Sequence, residues 1–250
     1  MTDKKNSRAL IIFFEDQNRD KVQRGLASNL TDAQKKLIYR AFLEDTITNC
    51  LELNGVEIRI NYPTGPTGQI VNEIVNNLKK SLTGKSLKLL KSNNFKMLKS
   101  VGESIGERIS NSFKHAFDSN CKKVALIGCV TPTLPRKTVT DAFKRISKYD
   151  LVIGPTLEGN FYLLATHKHL PELFAEIDWT ADCSVYSQMV EACKKNEFHW
   201  DEMDIWYDLR QPEDLEFLVR DINHFRLIGD EKSAIRTEQA LEEILKDLPS

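Results

Sequence analysis

The chain contains no hydrophobic run long enough to cross a bilayer, no excess of either charge and no patterned cysteines, and each absence removes a class of function. Ala9–Phe14 is a run of apolar residues, whereas a membrane-spanning helix needs about 20. Lys and Arg total 35 against 36 Asp and Glu, a net charge of −1. That balance gives no electrostatic case for a nucleic-acid or membrane partner. The five cysteines, Cys50, Cys121, Cys129, Cys183 and Cys193, are odd in number and none is spaced CxxC. A disulfide framework and a zinc knuckle are therefore not expected. Met1 to Arg8 is polar, and the apolar run that follows is too short for a signal-peptide core, so a cytoplasmic location is the expectation. Internal repeats and low-complexity linkers are also missing. The Lys-rich stretch from Lys79 to Lys99 reads as solvated faces, with a basic rim near an anionic ligand as the alternative.

What is present is an alternation of strand and helix patterns. Ala9–Phe14 and Lys123–Gly128 are continuous runs suited to strands buried on both faces. Thr31–Gln34 opens a helix whose Leu37, Ile38, Ala41, Phe42 and Thr46 recur at helical spacing. Val56–Asn61 alternates apolar and polar residues, Pro63–Gly68 breaks the chain, and Ile70–Leu82 is a second helix. Ser86–Leu90 reads as a strand or the start of a longer loop, and Met97–Leu98 as a short strand. Further on, the patterns predict helices at Gly102–Asp118, Lys137–Ser147, Asp182–Lys194 (opened by Asp182) and from Pro212 to Phe225. Strands are predicted at Asp150–Gly154, Phe161–Thr166 and Ile205–Tyr207. An amphipathic tail, about residues 231–248, carries Ile235, Leu241, Ile244 and Leu245 on one side and docks on the body or on a partner, a homodimer included. The expected fold class is α/β, a three-layer α/β/α arrangement around a mostly parallel sheet. A single domain spanning 1–250, with its core at about 8–228, is the expected organisation. Ligands of such sheets sit beyond the carboxyl ends of the strands, so the loops after Phe14, Gly128 and Gly154 are the candidate site.

Four segments carry residues suited to chemistry. Gly128–Pro135 ends a buried strand and is stiffened by two prolines; a rigid strand-to-helix turn is its plainer reading. Gly154–Tyr162 places Glu158 beside Gly159 at a strand end, where a carboxylate can reach a sugar hydroxyl or a metal, or simply occupy a hairpin-like turn in solvent. Gly102–Arg108 has two glycines that would let first-turn amides approach an anion, although that spacing is a weak signal and acids such as Glu103 and Glu107 more often form a solvated helix face. Asp208–Leu215 offers Arg210 as a phosphate clamp. His167 and His169 lack a third ligand for a metal site. Cys129 reads as a small buried thiol more readily than a nucleophile. Trp200, Trp206 and Tyr207 read as core or a stacking wall.

Taken in order, these segments resemble the bacterial GT-A-fold nucleotide-diphospho-sugar transferases, a group that carries a domain-of-unknown-function label or an arsenosugar-type glycosyltransferase label. The resemblance spans about residues 8–218. It rests on Leu37–Thr46 (family LYxAFLxDT), Gly102–Arg108 (GxxLGxR), Gly128–Pro135 (GSDCPxLP), Gly154–Ala165 (GPxxDGGYYLLG), Trp179-Thr180 (WST) and Asp208–Leu215 (DVDTPEDL). It implies that Phe14, Glu15, Lys21, Arg24, Gly102, Gly106, Arg108, Gly128, Cys129, Val130, Gly159 and Arg210 line the nucleotide-sugar site. It further implies that Asn160 and Trp179 lie on the acceptor side, and that Glu158 and Asp208 are the catalytic candidates. The partners implied are a nucleotide-diphosphate sugar and an acceptor.

The departures from the family are chemically coherent. The Ser-Asp of GSDCP, whose Asp is the family's metal ligand, is Cys129-Val130 here; Asp-Gly-Gly is Glu158-Gly159-Asn160; the second Asp of DVDT is Arg210; and the basic first loop reads Gln23-Arg24-Gly25. Mg²⁺ or Mn²⁺ is the family's expected cofactor, but these changes predict no metal. A full positive charge 4 Å from a divalent ion repels it by about twice the unit-charge energy, several kcal/mol at an effective dielectric of about 20. The expectation is a metal-independent glycosyltransferase in which Arg210, with Lys21 or Arg24, grips the diphosphate. The alternatives are a non-catalytic binding or scaffold relative and a nucleotidyltransferase.

Overall fold

The computed structural model describes residues 7–15, 30–179, 184–207, 209 and 214–246. Seven strands form one sheet: β1 (Arg8–Phe13), β2 (Glu57–Tyr62), β3 (Phe95–Lys99), β4 (Lys123–Gly128), β5 (Leu151–Pro155), β6 (Phe161–Thr166) and β7 (Trp200–Glu202). The helices are α1 (Asp32–Cys50), α2 (Pro66–Ser81), α3 (Gly84–Leu90), α4 (Ile105–Asp118), α5 (Arg136–Arg145), α6 (Pro171–Ala175), α7 (Val185–Lys195), α8 (Asp214–Leu227) and α9 (Ile235–Lys246). The strand order is β3-β2-β1-β4-β6-β5-β7, with β6 antiparallel to both of its neighbours and every other pairing parallel. The chain runs outward from β1 to β3, then returns to β4 on the other side of β1. The switch point is thus the gap between the carboxyl ends of β1 and β4.

The two faces of the sheet bury separate clusters, as period-2 alternation requires. Leu10, Ile12, Phe14, Ala125, Ile127 and Cys129 pack against α1, α2, α5, α8 and α9. Ala9, Ile11, Phe13, Val124 and Leu126 pack against α4, α6 and α7. This is the expected three-layer α/β/α arrangement. Among the described residues, no helix is long and apolar enough to cross a membrane.

Several boundaries differ from the sequence reading, each for a local reason. Helix α2 starts at Pro66 rather than Ile70, because proline suits a first helical turn and Gly65 (φ 90°) supplies the turn before it. Residues 84–90 are helical, not a strand or loop; Leu90 is buried. Helix α4 starts at Ile105, so Gly102 lies outside its first turn. Helix α5 ends at Arg145, two residues early. Helix α7 is capped by Ser184, whose hydroxyl accepts from Ser187 N; Asp182, the expected cap, lies outside the described residues, as does Pro212. The last strand is Trp200–Glu202, while Ile205–Tyr207 contributes a single bridge, Trp206 to Thr156.

One polar feature was unexpected. Glu57, Arg59 and Asn61 of β2, read as the polar half of an alternating strand, are all buried. Arg59 Nε donates to Glu57 Oε1 at 2.5 Å, Lys96 Nζ pairs with Glu57 Oε2 at 2.8 Å, and Arg59 Nη1 lies 3.1 Å from His115 Nδ1. Burial, followed by the charges of Arg59 and Lys96, holds His115 below the usual imidazole pKa. The tail helix docks on the body: Thr237 N donates to Asp45 Oδ2 at 2.7 Å, and Arg236 reaches Asp45 and Glu44 at 3.3 Å. Burial raises the Asp45 pKa, partly offset by the Thr237 amide and Arg236.

Candidate functional site

The carboxyl end of β1 delivers Phe14 and Glu15. Phe14 N donates to Asn61 O at 2.8 Å, and its ring turns into the α1 face of the core. Glu15, one step on, turns to the α4 face and is 6% exposed. There it meets Arg108 in a bidentate pair, Nε to Oε1 at 2.8 Å and Nη2 to Oε2 at 2.9 Å. Arg108 Nη1 also donates to Glu103 O at 2.8 Å and Gly102 O at 3.3 Å. One guanidinium thus fastens the 102–104 loop to the end of β1, a task for which a planar fork is suited and an ammonium is not.

That loop is shaped by a capping box. Glu107 N donates to Ser104 Oγ at 3.1 Å, and Glu107 Oε2 accepts from Glu103 N at 2.7 Å and Ser104 N at 3.4 Å. Glu107 is therefore a cap as well as an exposed side chain, and these loop and first-turn amides are already engaged. Gly102 has φ 138°, and a Cβ there would lie 2.7 Å from Glu107 Cβ. Gly106 has no room for a side chain either: a Cβ would sit 2.4 Å from Trp179 Nε1. Trp179 donates from Nε1 to Phe174 O at 3.3 Å and stands edge-on to Phe161 at 6.2 Å. Gly106 and Trp179, singled out as nucleotide-side and acceptor-side, thus touch each other. They share a groove of about 540 Å³ between α4 and α6 that Glu107, Asn111 and Asp178 also line.

Across the switch point, β4 ends at Gly128, which faces open space: a Cβ there meets nothing within 4 Å. Cys129 is fully buried and Val130 is 8% exposed, both within the α1-side apolar cluster. Phe14, Cys129 and Val130 can therefore offer a ligand backbone atoms more readily than side chains. Among the described residues, the side chains at this end of the sheet do not fit the divalent ion that the resemblance implies. The Val130 side chain has no oxygen, whereas the acid it replaces would supply the carboxylate that Mg²⁺ and Mn²⁺ bind. Cys129 points into the core. Glu158 is exposed on a different loop. His167 and His169 are engaged separately, His167 Nδ1 with Tyr149 O at 3.1 Å and His169 Nε2 with Ser110 Oγ at 2.9 Å.

Glu158, Gly159 and Asn160 form the tight turn of the β5–β6 hairpin. Asn160 N donates to Thr156 Oγ1 at 3.1 Å and Gly159 N to Thr156 O at 3.2 Å. Gly159 has φ 74°, and a Cβ would sit 2.7 Å from Ser184 Oγ, which donates to Gly159 O at the same distance. Glycine is required here both for conformation and for space. The turn is rigid, and it leaves the Glu158 carboxylate in solvent.

Lys21, Arg24, Asp208 and Arg210 lie outside the described residues. Their described neighbours are informative. Tyr207 and Leu209 are buried in the same cluster as Val130 and Leu134. The Tyr207 hydroxyl donates to Asp221 Oδ2 at 2.8 Å and contacts Thr133 Oγ1 of the β4–α5 loop. Burial, with Asp221 beside it, pushes the Tyr207 phenol well above its usual pKa. From the sequence, Tyr207 reads as core or a stacking wall, with stacking on an acceptor as a lesser option, and Asp45, Thr46 and Thr133 stand as motif positions with no contacts of their own.

Residues 74–181 match the sequence model of a family described as "Uncharacterized protein conserved in bacteria (DUF2064)". No curated protein sequence matches the chain. Among solved structures, the chain is similar to a Desulfovibrio desulfuricans G20 protein provisionally named a nucleotide-diphospho-sugar transferase. The TM-score is 0.74 at 22% identity, over 96% of this chain and 95% of that one. It is also similar to 4-diphosphocytidyl-2C-methyl-D-erythritol synthase from Anaerococcus prevotii DSM 20548, with a TM-score of 0.55 at 15% identity over 86% and 96% of the two chains. At such identities the likeness is one of fold. The chain thus resembles the bacterial DUF2064 family over residues 74–181, and over nearly its whole length it shares the fold of the Desulfovibrio protein.

Proposed function

We propose that the chain is a transferase that takes a sugar from a nucleotide-diphosphate donor without a divalent ion. The observation that carries this reading is the end of β4, where Cys129 and Val130 are buried in apolar packing at the position the resemblance gives to a metal ligand. A leaving diphosphate still needs its charge neutralised, and a cationic side chain supplies that by transition-state stabilisation. Arg210 is assigned the clamp, with Lys21 or Arg24 beside it. The tie from Tyr207 to Thr133 supports this, because it fastens the segment that leads into Arg210 to the loop that carries Val130. Glu158, on its rigid turn, is assigned to the acceptor, as a base or as a contact to a sugar hydroxyl. Asp208 is assigned a second polar contact to the sugar, and Asn160 and Trp179 the acceptor side.

A thermal-shift panel of UDP, GDP and CDP, each alone and as a sugar conjugate, with and without Mn²⁺, tests the reading. At ligand about 100-fold above Kd the stabilisation is about 2.7 kcal/mol, which for a chain of this length is about 5–10 °C. The expected outcome is a shift with one diphosphate that is the same in EDTA as in Mn²⁺. No shift with any nucleotide would point to a non-catalytic relative. A shift only with a nucleoside triphosphate and metal would point to a nucleotidyltransferase.

A further inference from the structure

We propose that Thr46 and Asn49 of α1 are positioning residues that hold the β4–α5 loop open as a preformed backbone cradle for the nucleotide diphosphate. The ligand named here rests on the function proposed above; the clamp itself does not. The two residues are three apart and so share one helix face. Thr46, 1% exposed, accepts from Thr131 N through Oγ1 at 3.0 Å. Asn49 donates from Nδ2 to Leu134 O at 2.7 Å. Inside the loop, Leu134 N donates to Thr131 O at 3.2 Å, and Thr131 Oγ1 donates to Gly128 O at 3.3 Å. The turn is therefore closed on itself, and one peptide group towards each end, Thr131 N and Leu134 O, is tied to α1. From the opposite side, Asp221 of α8 holds Tyr207, which holds Thr133.

Burial of Val130 and Leu134 alone would keep the loop near the core but would leave its peptide planes free to rotate. The side-chain bonds fix those planes. They also keep the loop from relaxing into the open space beside Gly128. A ligand bound by backbone groups, without a metal to organise them, depends on such pre-ordering more than a metal-bridged one would. Asp45, next to Thr46, seats the tail helix, so one turn of α1 supports both the site loop and α9.

The test compares Thr46→Val, which keeps the shape and loses the acceptor, with Thr46→Ser, which keeps the acceptor. Amide exchange over residues 128–135 and the affinity for UDP, GDP and CDP are measured on each, with urea unfolding as the control for global stability. Thr46→Val is expected to speed exchange of the Thr131 amide and to weaken the binding diphosphate, each on the order of tenfold. Thr46→Ser should restore both to within about twofold. If valine and serine behave alike, or if exchange at Thr131 does not change, Thr46 is a packing residue and the proposal fails. Should Thr46→Val unfold, Asn49→Ser removes the second tie from a less buried position, and unaltered exchange at 128–135 in that variant also overturns it. If the wild type binds none of the three diphosphates, the proposed function fails, while the exchange data still decide whether the clamp exists.

Discussion

Arg210→Ala is expected to weaken binding of the nucleotide diphosphate by about 30-fold or more, the roughly 2 kcal/mol lower end for truncating one partner of a hydrogen-bonded charge pair. The reasoning is electrostatic. Where the resemblance places an acidic metal ligand, the chain has Arg210, and where it places the other, it has Val130. In the proposed site, two negative charges and a dication would be replaced by one cation, which would meet a diphosphate directly. Arg210→Lys should give an intermediate loss, since an ammonium keeps the charge but not the two-pronged geometry. Titration calorimetry with the diphosphate selected by the thermal-shift panel measures both, with unfolding curves to show that each variant is folded. A dissociation constant for Arg210→Ala within threefold of wild type would remove Arg210 from the site.

Arg108→Ala should cost about 3 kcal/mol of folding stability, the low end of the range for breaking a buried ion pair. It corresponds to a fall in Tm of about 6–12 °C. Glu15 is 6% exposed and loses a bidentate partner at 2.8 and 2.9 Å. The carbonyls of Gly102 and Glu103 lose their donor in the same step. The 102–104 loop is then free of β1, so nucleotide affinity should fall as well. Arg108→Lys is expected to recover less than half of the stability, because a single ammonium cannot reach both carboxylate oxygens and both carbonyls. A change in Tm under 2 °C for Arg108→Ala would show that the pair behaves like an exposed salt bridge, worth about 1 kcal/mol or less.

The parts of this fold that were legible in the sequence are those fixed by local patterns. Ala9–Phe13 and Lys123–Gly128 are runs that only a strand covered on both faces can bury, and both are central strands. Thr31 and Gln34 announce α1 and form its capping box. The reading went astray where long-range contacts decide. Alternation in β2 suggested a wet face, but Arg59 is buried with Glu57 and Cys121 and reaches the exposed His115. Residues 84–90 have little helical pattern of their own, and the helix is fixed by burial of Leu90. Glu107 carried a capping-box signal with Ser104 that the two glycines obscured. The site's order was legible and its internal contacts were not. Glu15 with Arg108, and Thr46 with Thr131, are separated by 93 and 85 positions, and a single sequence carries no record of such pairings.

Isothermal titration of Mn²⁺ into the protein, alone and with saturating diphosphate, tests the metal-free site most directly. The account predicts binding to the protein alone no tighter than about millimolar, and with diphosphate no tighter than to diphosphate free in solution, since the buried Cys129 and Val130 side chains provide no carboxylate at the end of β4. Micromolar binding that Glu158→Ala abolishes would contradict it.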